Sequence, residues 1–422
     1  MLRLGVVALS ALLASCSDDE LGTAGGGAGG NAASGGGASG GGGGAVGGSG
    51  GGGAAGSGGT VAGPPSLKRI GDTLDVPSLA ESAPKRFADI AHHGSKDAYL
   101  VVTGSSSISA TLIDGDGKSL AAPLSLAQTT AWAQGPRVAR GGGKFLVAWH
   151  DNRSDPNQPE LRGRIVSLNG DQPELGASDF AIGPPPTRAE APPGIAWSDT
   201  SKFFLVVWQA VPSADLRARR VDASGALVGS EIVLTSDPDW QSDPAVAWNP
   251  TSDEFLVVWA HADASGATRA RRVAAADGAL LGQELDLGSG THIPAVEHEP
   301  GDNRFLAAWW DGKVRARRLD ASGTPEGDGF DVAPGYGSYD GFAMARHPSL
   351  GTFAVVLHGS SDEDFAAAFA SSGEQSAVIQ ATESPSSIGN FNPRVAANPL
   401  RNEWMLVTSR GFATLAVQRL GP

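Results

Sequence analysis

Phe204-Leu205-Val206-Val207-Trp208 is followed shortly by Arg217-Ala218-Arg219-Arg220-Val221 and by the turn sequence Asp222-Ala223-Ser224-Gly225. The apolar phrase returns as Phe255-Leu256-Val257-Val258-Trp259 and as Phe305-Leu306-Ala307-Ala308-Trp309, each time with an Arg-rich segment downstream. Self-similarity at a period of about 50 residues is typical of repeat architectures. The chain is therefore built from repeated units, and the unit decides the fold.

Weaker copies extend the series in both directions. The central apolar strand of the units begins at Tyr99, Phe145, Phe204, Phe255, Phe305, Phe353 and Trp404. Each unit reads as a short segment such as Pro244-Ala245-Val246-Ala247-Trp248, the apolar strand, an Arg-rich strand and a last strand, separated by Gly, Asp, Asn and Pro turns. Seven units of four short strands predict an all-β fold, a seven-bladed β-propeller with four antiparallel strands per blade.

The apolar strand is hydrophobic on both faces, as a strand between two neighbouring blades must be. Side chains alternate along a strand, so one set should face one neighbour and the other set the other. In the second unit the first set is Phe145, Val147 and Trp149, and the second set is Leu146 and Ala148.

The two ends of the domain predict a closed ring. Leu415–Leu420 matches the Arg-rich third strand, so the last unit lacks a fourth strand. Lys68–Val76 reads as an outer strand with no strands before it. We expect this N-terminal strand to pair with the last blade, because closure protects sheet edges that would otherwise aggregate.

The first 15 residues read as a signal peptide, with an apolar run from Leu4 to Leu13 that is too short to span a bilayer. Leu13-Ala14-Ser15-Cys16 resembles the bacterial lipobox, and Cys16 is the only cysteine of the chain. The resemblance implies acylation of Cys16 and anchoring to a membrane, which several acyl chains make stable. Ser17 after the cysteine implies sorting to the outer membrane, facing the periplasm or the surface. Ordinary signal cleavage with an incidental cysteine is the alternative.

Residues 16–65 form the lipidated cysteine and a linker, and residues 66–422 form the propeller domain. More than half of Leu21–Thr60 is glycine, and the rest is mostly alanine and serine. Such a segment cannot bury a core, so we expect a disordered tether. About 40 flexible residues span roughly 35 Å root-mean-square.

The charge balance excludes one class of partner. The chain has 31 Lys and Arg against 45 Asp and Glu, a formal net charge of −14. An acidic surface argues against nucleic acid as a ligand. A single cysteine permits no intramolecular disulfide. We expect a monomeric domain that is stabilised by packing between blades and by ring closure.

No motif for metal or nucleophilic catalysis stands out, which predicts no catalytic residue, no metal ion and no cofactor. The sequence has neither an H-E-x-x-H metal motif nor a G-x-S-x-G nucleophile elbow. Asp114-Gly115-Asp116-Gly117-Lys118 looks like a fragment of a calcium loop, but it occupies the slot of the Asp-Ala-Ser-Gly turn, which favours a hairpin turn. Paired carboxylates for glycoside cleavage remain open among the 45 acidic residues.

The repeated arginines favour a structural role. They recur in register on a strand near the outer part of the sheet, for example Arg217, Arg219 and Arg220. Such side chains stack over aromatic rings or pair with acidic residues of the next blade.

The residues just past the Trp position differ from unit to unit, as do the loops between blades. In a propeller both sets of loops open on one face, where aromatic, His, Asp and Arg side chains can bind a sugar, a peptide or a protein loop. The candidate binding face consists of His150, Asp151, Arg153, Trp240, His261, Trp310, Asp311, Tyr339, His358 and Arg410.

The repeats resemble those of large secreted or lipid-anchored bacterial propeller proteins, a family that is mostly uncharacterised. The resemblance covers about residues 66–422 and implies the fold rather than an activity. We expect a non-catalytic binding protein of the cell envelope that engages a glycan or a protein through one propeller face. The alternatives are a polysaccharide hydrolase or lyase and a scaffold subunit of an envelope assembly.

Overall fold

The computed structural model describes residues 63–79, 87–104, 107–127, 133–155, 157–187, 191–262, 266–290, 292–335, 341–359, 363–382, 390–410 and 414–422. The chain divides into residues 1–60 and 61–422, and all described residues belong to the second unit. The expectations for the signal peptide, for Cys16 and for the Gly-rich linker therefore lie outside the described residues. Among those that are described, no helix is long and apolar enough to cross a membrane.

The described part of the chain is all-β, and its strands follow one another as the repeats predict. The strands are β1 (Lys68–Val76), β2 (Phe87–His92), β3 (Ala98–Gly104), β4 (Ile108–Asp114), β5 (Leu124–Ala127), β6 (Ala133–Gly141), β7 (Lys144–Asp151), β8 (Glu160–Asn169), β9 (Gln172–Leu175), β10 (Phe180–Gly183), β11 (Gly194–Ser198), β12 (Phe203–Gln209), β13 (Leu216–Asp222), β14 (Leu227–Val233), β15 (Trp240–Asn249), β16 (Glu254–Ala262), β17 (Ala267–Ala274), β18 (Leu280–Ser289), β19 (His292–Glu299), β20 (Arg304–Trp310), β21 (Val314–Leu319), β22 (Pro325–Asp331), β23 (Phe342–Arg346), β24 (Phe353–His358), β25 (Asp364–Phe369), β26 (Ile379–Gln380), β27 (Asn390–Asn398), β28 (Glu403–Arg410) and β29 (Thr414–Gly421).

These strands form seven antiparallel sheets, the blades of a seven-bladed β-propeller, which confirms the predicted fold class. Blades 1 to 6 begin with the inner strands β2, β6, β11, β15, β19 and β23, and each blade runs outward in chain order. In blade 2 both β9 and β10 pair with β8, so two short strands share the outer position. Blade 7 has the order β27-β28-β29-β1.

The core lies between blades and is made by the second strands. Phe145, Val147 and Trp149 pack in one cluster with residues of blade 1. Leu146 and Ala148 pack in another cluster with residues of blade 3. The predicted alternation is confirmed, and it explains why the stretch 145–149 of this strand has no polar residue.

The first described strand closes the ring. β1 pairs with β29 from Lys68, opposite Gly421, to Val76, opposite Leu415. The hydroxyl of Thr73 also donates to Gln418 Oε1 at 2.6 Å. Closure by the N-terminal strand is therefore confirmed, and the last blade gains the outer strand that its own segment lacks.

An ion-pair network joins blade 7 to blade 1 at the same seam. Arg401 Nε donates to Asp97 Oδ2 at 2.6 Å, and Arg401 Nη1 donates to Asp116 Oδ1 at 2.5 Å. Arg419 donates to both carboxylate oxygens of Glu403 at 2.8 and 2.9 Å and to Asp116 at 2.9 Å. The hydrogen bond from Arg401 lowers the pKa of Asp116. For Asp97, burial acts upward, but the bonds from Arg401 outweigh it and the pKa is lowered.

The repeated arginines of the third strands are paired, largely with the neighbouring blade or with acids of their own blade. Three arginines at equivalent positions each donate from Nη1 at 3.0 Å to a backbone carbonyl of the preceding blade: Arg164 to Leu126, Arg271 to Leu234, and Arg317 to Leu287. Arg220 donates to the carbonyls of Ala275 and Ala276 in the next blade, and its guanidinium lies 5.2 Å from the ring centroid of Phe203. These contacts make the arginine rows a part of the packing between blades.

The segment that resembles a calcium loop is a hairpin turn. Asp114 Oδ1 accepts the backbone N–H of Asp116 at 2.9 Å and of Lys118 at 2.8 Å, and Gly117 has a φ of 87° that favours glycine. Asp222 holds the Asp-Ala-Ser-Gly turn of blade 3 with the same two kinds of bond.

Candidate functional site

The predicted binding residues share one side of the ring. We call this side the upper face and define it as the side where the first strand of each blade begins and the second strand ends. The strand register places Trp240 opposite Ala262 in blade 4, and His292 opposite Trp310 in blade 5. The variable residues after the Trp position therefore lie beside the starts of the inner strands.

Four of the predicted residues are buried under this face: His150, Asp151, His261 and His358. His150 Nε2 lies 3.1 Å from the carbonyl oxygen of Ala191, and burial lowers the pKa of His150 to about 4. Asp151 accepts hydrogen bonds from Trp149 Nε1 at 3.1 Å and from the backbone N–H of Arg153 at 2.9 Å. These two side chains anchor loops.

The two other buried histidines each lie beside a carboxylate. His358 Nδ1 is 3.6 Å from Asp364 Oδ1, and His261 Nε2 is 3.8 Å from Asp239 Oδ2. Asp237, Asp239 and His261 offer ligand atoms within 4.8 Å of one another. Among the described residues this group has a geometry that a metal ion could use, although exposed carboxylates often cluster without an ion.

Five predicted residues lie at the surface of the upper face or border on it. Trp240 is 39% exposed, Asp311 is exposed, and Trp310 is half-buried in the adjacent blade. Arg153 pairs with Asp151 and with Asp179, and Arg410 Nη1 lies 3.3 Å from Asp75 Oδ1. Tyr339 lies outside the described residues. Trp240 and Trp310, in blades 4 and 5, are thus the aromatic side chains that this set presents.

The inner strands enclose a cavity that sequence reasoning missed. It has a volume of about 430 Å³, and strands of all seven blades line it, so it lies on the axis of the ring. Its polar lining consists of Asp89, Arg137, Asp243, Asn392 and Arg394. We call this cavity the central channel.

The strand register identifies one layer of the channel. In each blade one inner-strand residue pairs with the residue just before the Trp position of the second strand. In chain order these residues are Asp89, Arg137, Gly194, Ala245, Ala295, Ala343 and Arg394. Blades 7, 1 and 2 are neighbours, so Arg394, Asp89 and Arg137 form a continuous charged arc. The other four blades have Gly or Ala in this layer.

The charges of the channel make no ion pair. Within the described part of the chain, no pair shorter than 4.0 Å joins Asp89, Arg137, Asp243 or Arg394 to an oppositely charged group. Asp89 Oδ2 accepts the backbone N–H of Val138 at 2.9 Å, which fixes the carboxylate between the two arginines. Burial lowers the pKa of Arg137 to about 9, and it also lowers the pKa of Arg394.

One further acid lies a layer deeper. Glu297 stands where the six other blades have Ala91, Ala139, Ala196, Ala247, Ala345 and Ala396. Burial raises the pKa of Glu297 to about 7, and this rise is partly offset by Arg346 of the next inner strand. The group is therefore able to hold a proton near neutral pH.

The comparisons with known proteins agree with the fold. No protein-family model matches the chain, and the comparison with curated proteins found no match. The chain is similar to the crystal structure of the BP39L lectin from Burkholderia pseudomallei, with 14% identity and a TM-score of 0.56, over 79% of this chain and 95% of the lectin.

Two further solved structures are similar to this chain. Raptor from Chaetomium thermophilum has 14% identity and a TM-score of 0.56 over 85% of this chain, which spans only 29% of the Raptor chain. An α-L-arabinofuranosidase from Fusarium graminearum has 12% identity and a TM-score of 0.47 over 85% of this chain and 97% of the other, too low a score to support an argument. At these identities the likeness establishes the propeller scaffold and leaves the ligand open.

Proposed function

We propose that this protein is a binding protein held at the cell envelope by a lipid on Cys16, and that it recognises a glycan at the upper face, where the channel opens. The observation that carries the proposal is the set of charged channel residues that make no ion pair among the described residues. Removing an unpaired charge from water is costly, and groups that bear such a cost cluster at functional sites. The four charged side chains of the channel are half-buried.

The shape and chemistry of the site support a glycan. A volume of about 430 Å³ is within the range of small-molecule pockets. Trp240 and the half-buried Trp310 lie on the same side of the ring as Asp243, which is near the start of the inner strand of blade 4. Sugars combine apolar ring faces with hydroxyl groups, so they can use both kinds of surface. The similarity to a lectin adds that a propeller of this size is compatible with the role.

The test is a binding screen with the full chain in detergent micelles on an immobilised panel of neutral and acidic oligosaccharides. We expect at least one glycan to bind, and Trp240→Ala to weaken that binding several-fold. Leu400→Ala is the matched control, because Leu400 is 54% exposed in the turn between β27 and β28, on the opposite face. Absence of glycan binding by the folded protein would contradict the proposal.

A hydrolase is the second candidate, and Glu297 is the observation that favours it. A carboxyl group that holds its proton near neutral pH is what a general acid requires. Glycoside hydrolysis requires a second carboxylate nearby, for which Asp89 and Asp243 are the channel residues available. Reducing ends released from a bound glycan by the wild type, and not by Glu297→Gln, would establish this candidate over a binding protein.

The anchor is tested separately from the ligand. We expect mass spectrometry of the mature protein to find acyl chains on an N-terminal Cys16, and we expect Cys16→Ala to move the protein from the membrane fraction to the soluble fraction. A mature N-terminus beyond Cys16 would contradict the anchor and leave the binding site unaffected.

A further inference from the structure

The central channel is asymmetric in a way that favours one class of ligand. On one side, Arg394, Asp89 and Arg137 follow one another in blades 7, 1 and 2. On the other side, Gly194, Ala245, Ala295 and Ala343 occupy the same layer. Long charged side chains therefore face short ones, and the space for a ligand lies on the side of the short residues.

The charged arc has a net positive charge, because two guanidinium groups flank one carboxylate. Among the described residues, Arg137 has one hydrogen bond, to the carbonyl oxygen of its own neighbour Pro136 at a long 3.4 Å. The carboxylate of Asp89 is oriented by Val138 and lies beyond ion-pair distance from both arginines. Most N–H donors of the two arginines are thus available for an anion that enters the channel.

The acids of the channel narrow the choice of anion. Asp243 lies in blade 4, across the ring from the arc, and Asp89 lies within the arc. Ionised carboxylates only accept hydrogen bonds, so they would repel the dianion of a phosphate monoester, which has no proton to donate, and would offer inorganic phosphate at most a single acceptor for its one remaining proton. The channel offers N–H donors on the arginines and carboxylate acceptors on the aspartates. A sugar that carries a carboxylate suits both, because its carboxylate can accept two hydrogen bonds from Arg and its hydroxyl groups can donate to Asp.

We propose that the central channel binds an acidic sugar, with the carboxylate of a uronic acid held by Arg137 and Arg394 and its hydroxyl groups donating to Asp89 and Asp243. This inference rests on the proposed glycan-binding function and names the chemical class of its ligand. In the next layer of the inner strands, six blades have alanine and blade 5 has Glu297.

The experiment is isothermal titration of the full chain in detergent with short oligomers of galacturonic acid, with neutral galacto-oligosaccharides of the same length, and with inorganic phosphate. We expect the uronate oligomer to bind at least tenfold more tightly than the neutral one, a difference of about 1.4 kcal/mol. Arg137→Met and Arg394→Met should each remove this preference. Arg137→Lys should restore it only in part, because Lys offers a point charge without the bidentate fork.

The control variant is Arg304→Met, which removes one positive charge from a surface ion pair with Asp302 and Glu326. It should leave uronate binding unchanged, and thermal unfolding should show that every variant is folded. Equal binding of uronate and neutral oligomers would overturn the acidic-sugar inference and leave the glycan-binding function standing. Binding of phosphate as tight as that of uronate would overturn it in favour of a general anion site. Absence of any glycan binding would contradict both.

Discussion

The arginines of the outer strands and the arginines of the channel have the same guanidinium group in different surroundings. Arg164, Arg271 and Arg317 each donate to a carbonyl of the preceding blade. Arg137 and Arg394 are similarly shielded from solvent but have no ion-pair partner among the described residues. The first group recurs from blade to blade, whereas the second occurs in two blades out of seven.

This difference distinguishes arginines that stabilise the packing between blades from arginines whose role is not packing. A repeated residue solves a packing problem that every blade shares, so its contacts are within the protein. A charge that appears in only some blades, and that burial penalises, has no such reason to be there. Arg137 and Arg394, which make no ion pair among the described residues and occur in blades 2 and 7 alone, are therefore candidates for binding a ligand.

The prediction with the largest expected effect on the free energy of unfolding compares one arginine of each group. Arg220→Met should lower the free energy of unfolding by about 2 to 3 kcal/mol, because the carbonyls of Ala275 and Ala276 lose a charged donor in a site that is 8% exposed. Arg137→Met should leave the stability at pH 7 unchanged or raise it. Burial lowers the pKa of Arg137 to about 9, so the cost of its charge is fully present below that pH.

Urea unfolding at pH 7, followed by tryptophan fluorescence, measures both variants. A loss of stability in Arg137→Met as large as that in Arg220→Met would show that the channel arginine is a packing residue too. The distinction between the two groups of arginines would then fail.

Features that repeat from blade to blade could be predicted from the sequence, whereas features that depart from the repeat could not. The phrase from Phe204 to Trp208 repeats, so it predicted the strands, the number of blades and the alternation of the core, all of which the structure confirms. Closure by Lys68–Val76 could be predicted because a missing strand at one end matched a surplus strand at the other.

The channel could not be predicted in the same way, because function lies in the departures from the repeat. Pro136-Arg137-Val138-Ala139 and Pro393-Arg394-Val395-Ala396 show Arg where Pro244-Ala245-Val246-Ala247 shows Ala, and Pro294-Ala295-Val296-Glu297 shows Glu at its end. Alignment of the first strands would have revealed these substitutions. The loop residues instead drew attention through their variability, and His150 and Asp151 prove to be buried anchors of those loops.

The second prediction concerns the acid of the deeper layer. Glu297 should destabilise the folded protein increasingly as the pH rises, because its pKa is raised from 4.5 to about 7. Below about pH 4 the group is protonated in both states and costs nothing. Between pH 4.5 and about pH 7, the carboxyl group of Glu297 ionises in the unfolded chain but holds its proton in the folded protein. The free energy of unfolding of the wild type should therefore fall as the pH rises.

Glu297→Gln removes this dependence and should be more stable than the wild type at pH 8, by on the order of 1 to 2 kcal/mol. The two proteins should be equally stable at pH 4. Thermal unfolding between pH 4 and pH 8 measures the difference. A difference that is independent of pH would show that Glu297 does not titrate in this range.

The smallest expected effect concerns the seam between blades 7 and 1, where Arg401 is paired with Asp97 and Asp116. Arg401→Met should cost about 1 kcal/mol at pH 7, and Lys202→Met, at an exposed ion pair with Asp199, should cost less. The pairing lowers the pKa of both aspartates, so its contribution is present above their ordinary value of 3.8 and is lost as the pH falls below it. The difference between wild type and Arg401→Met should therefore shrink as the pH falls below 3.8 and be smallest at the lowest pH at which both proteins stay folded. If the stability difference stayed the same at low pH, Arg401 would stabilise the seam by packing. The view that arginines outside the channel stabilise the ring through their hydrogen-bonded partners would then not apply to the seam.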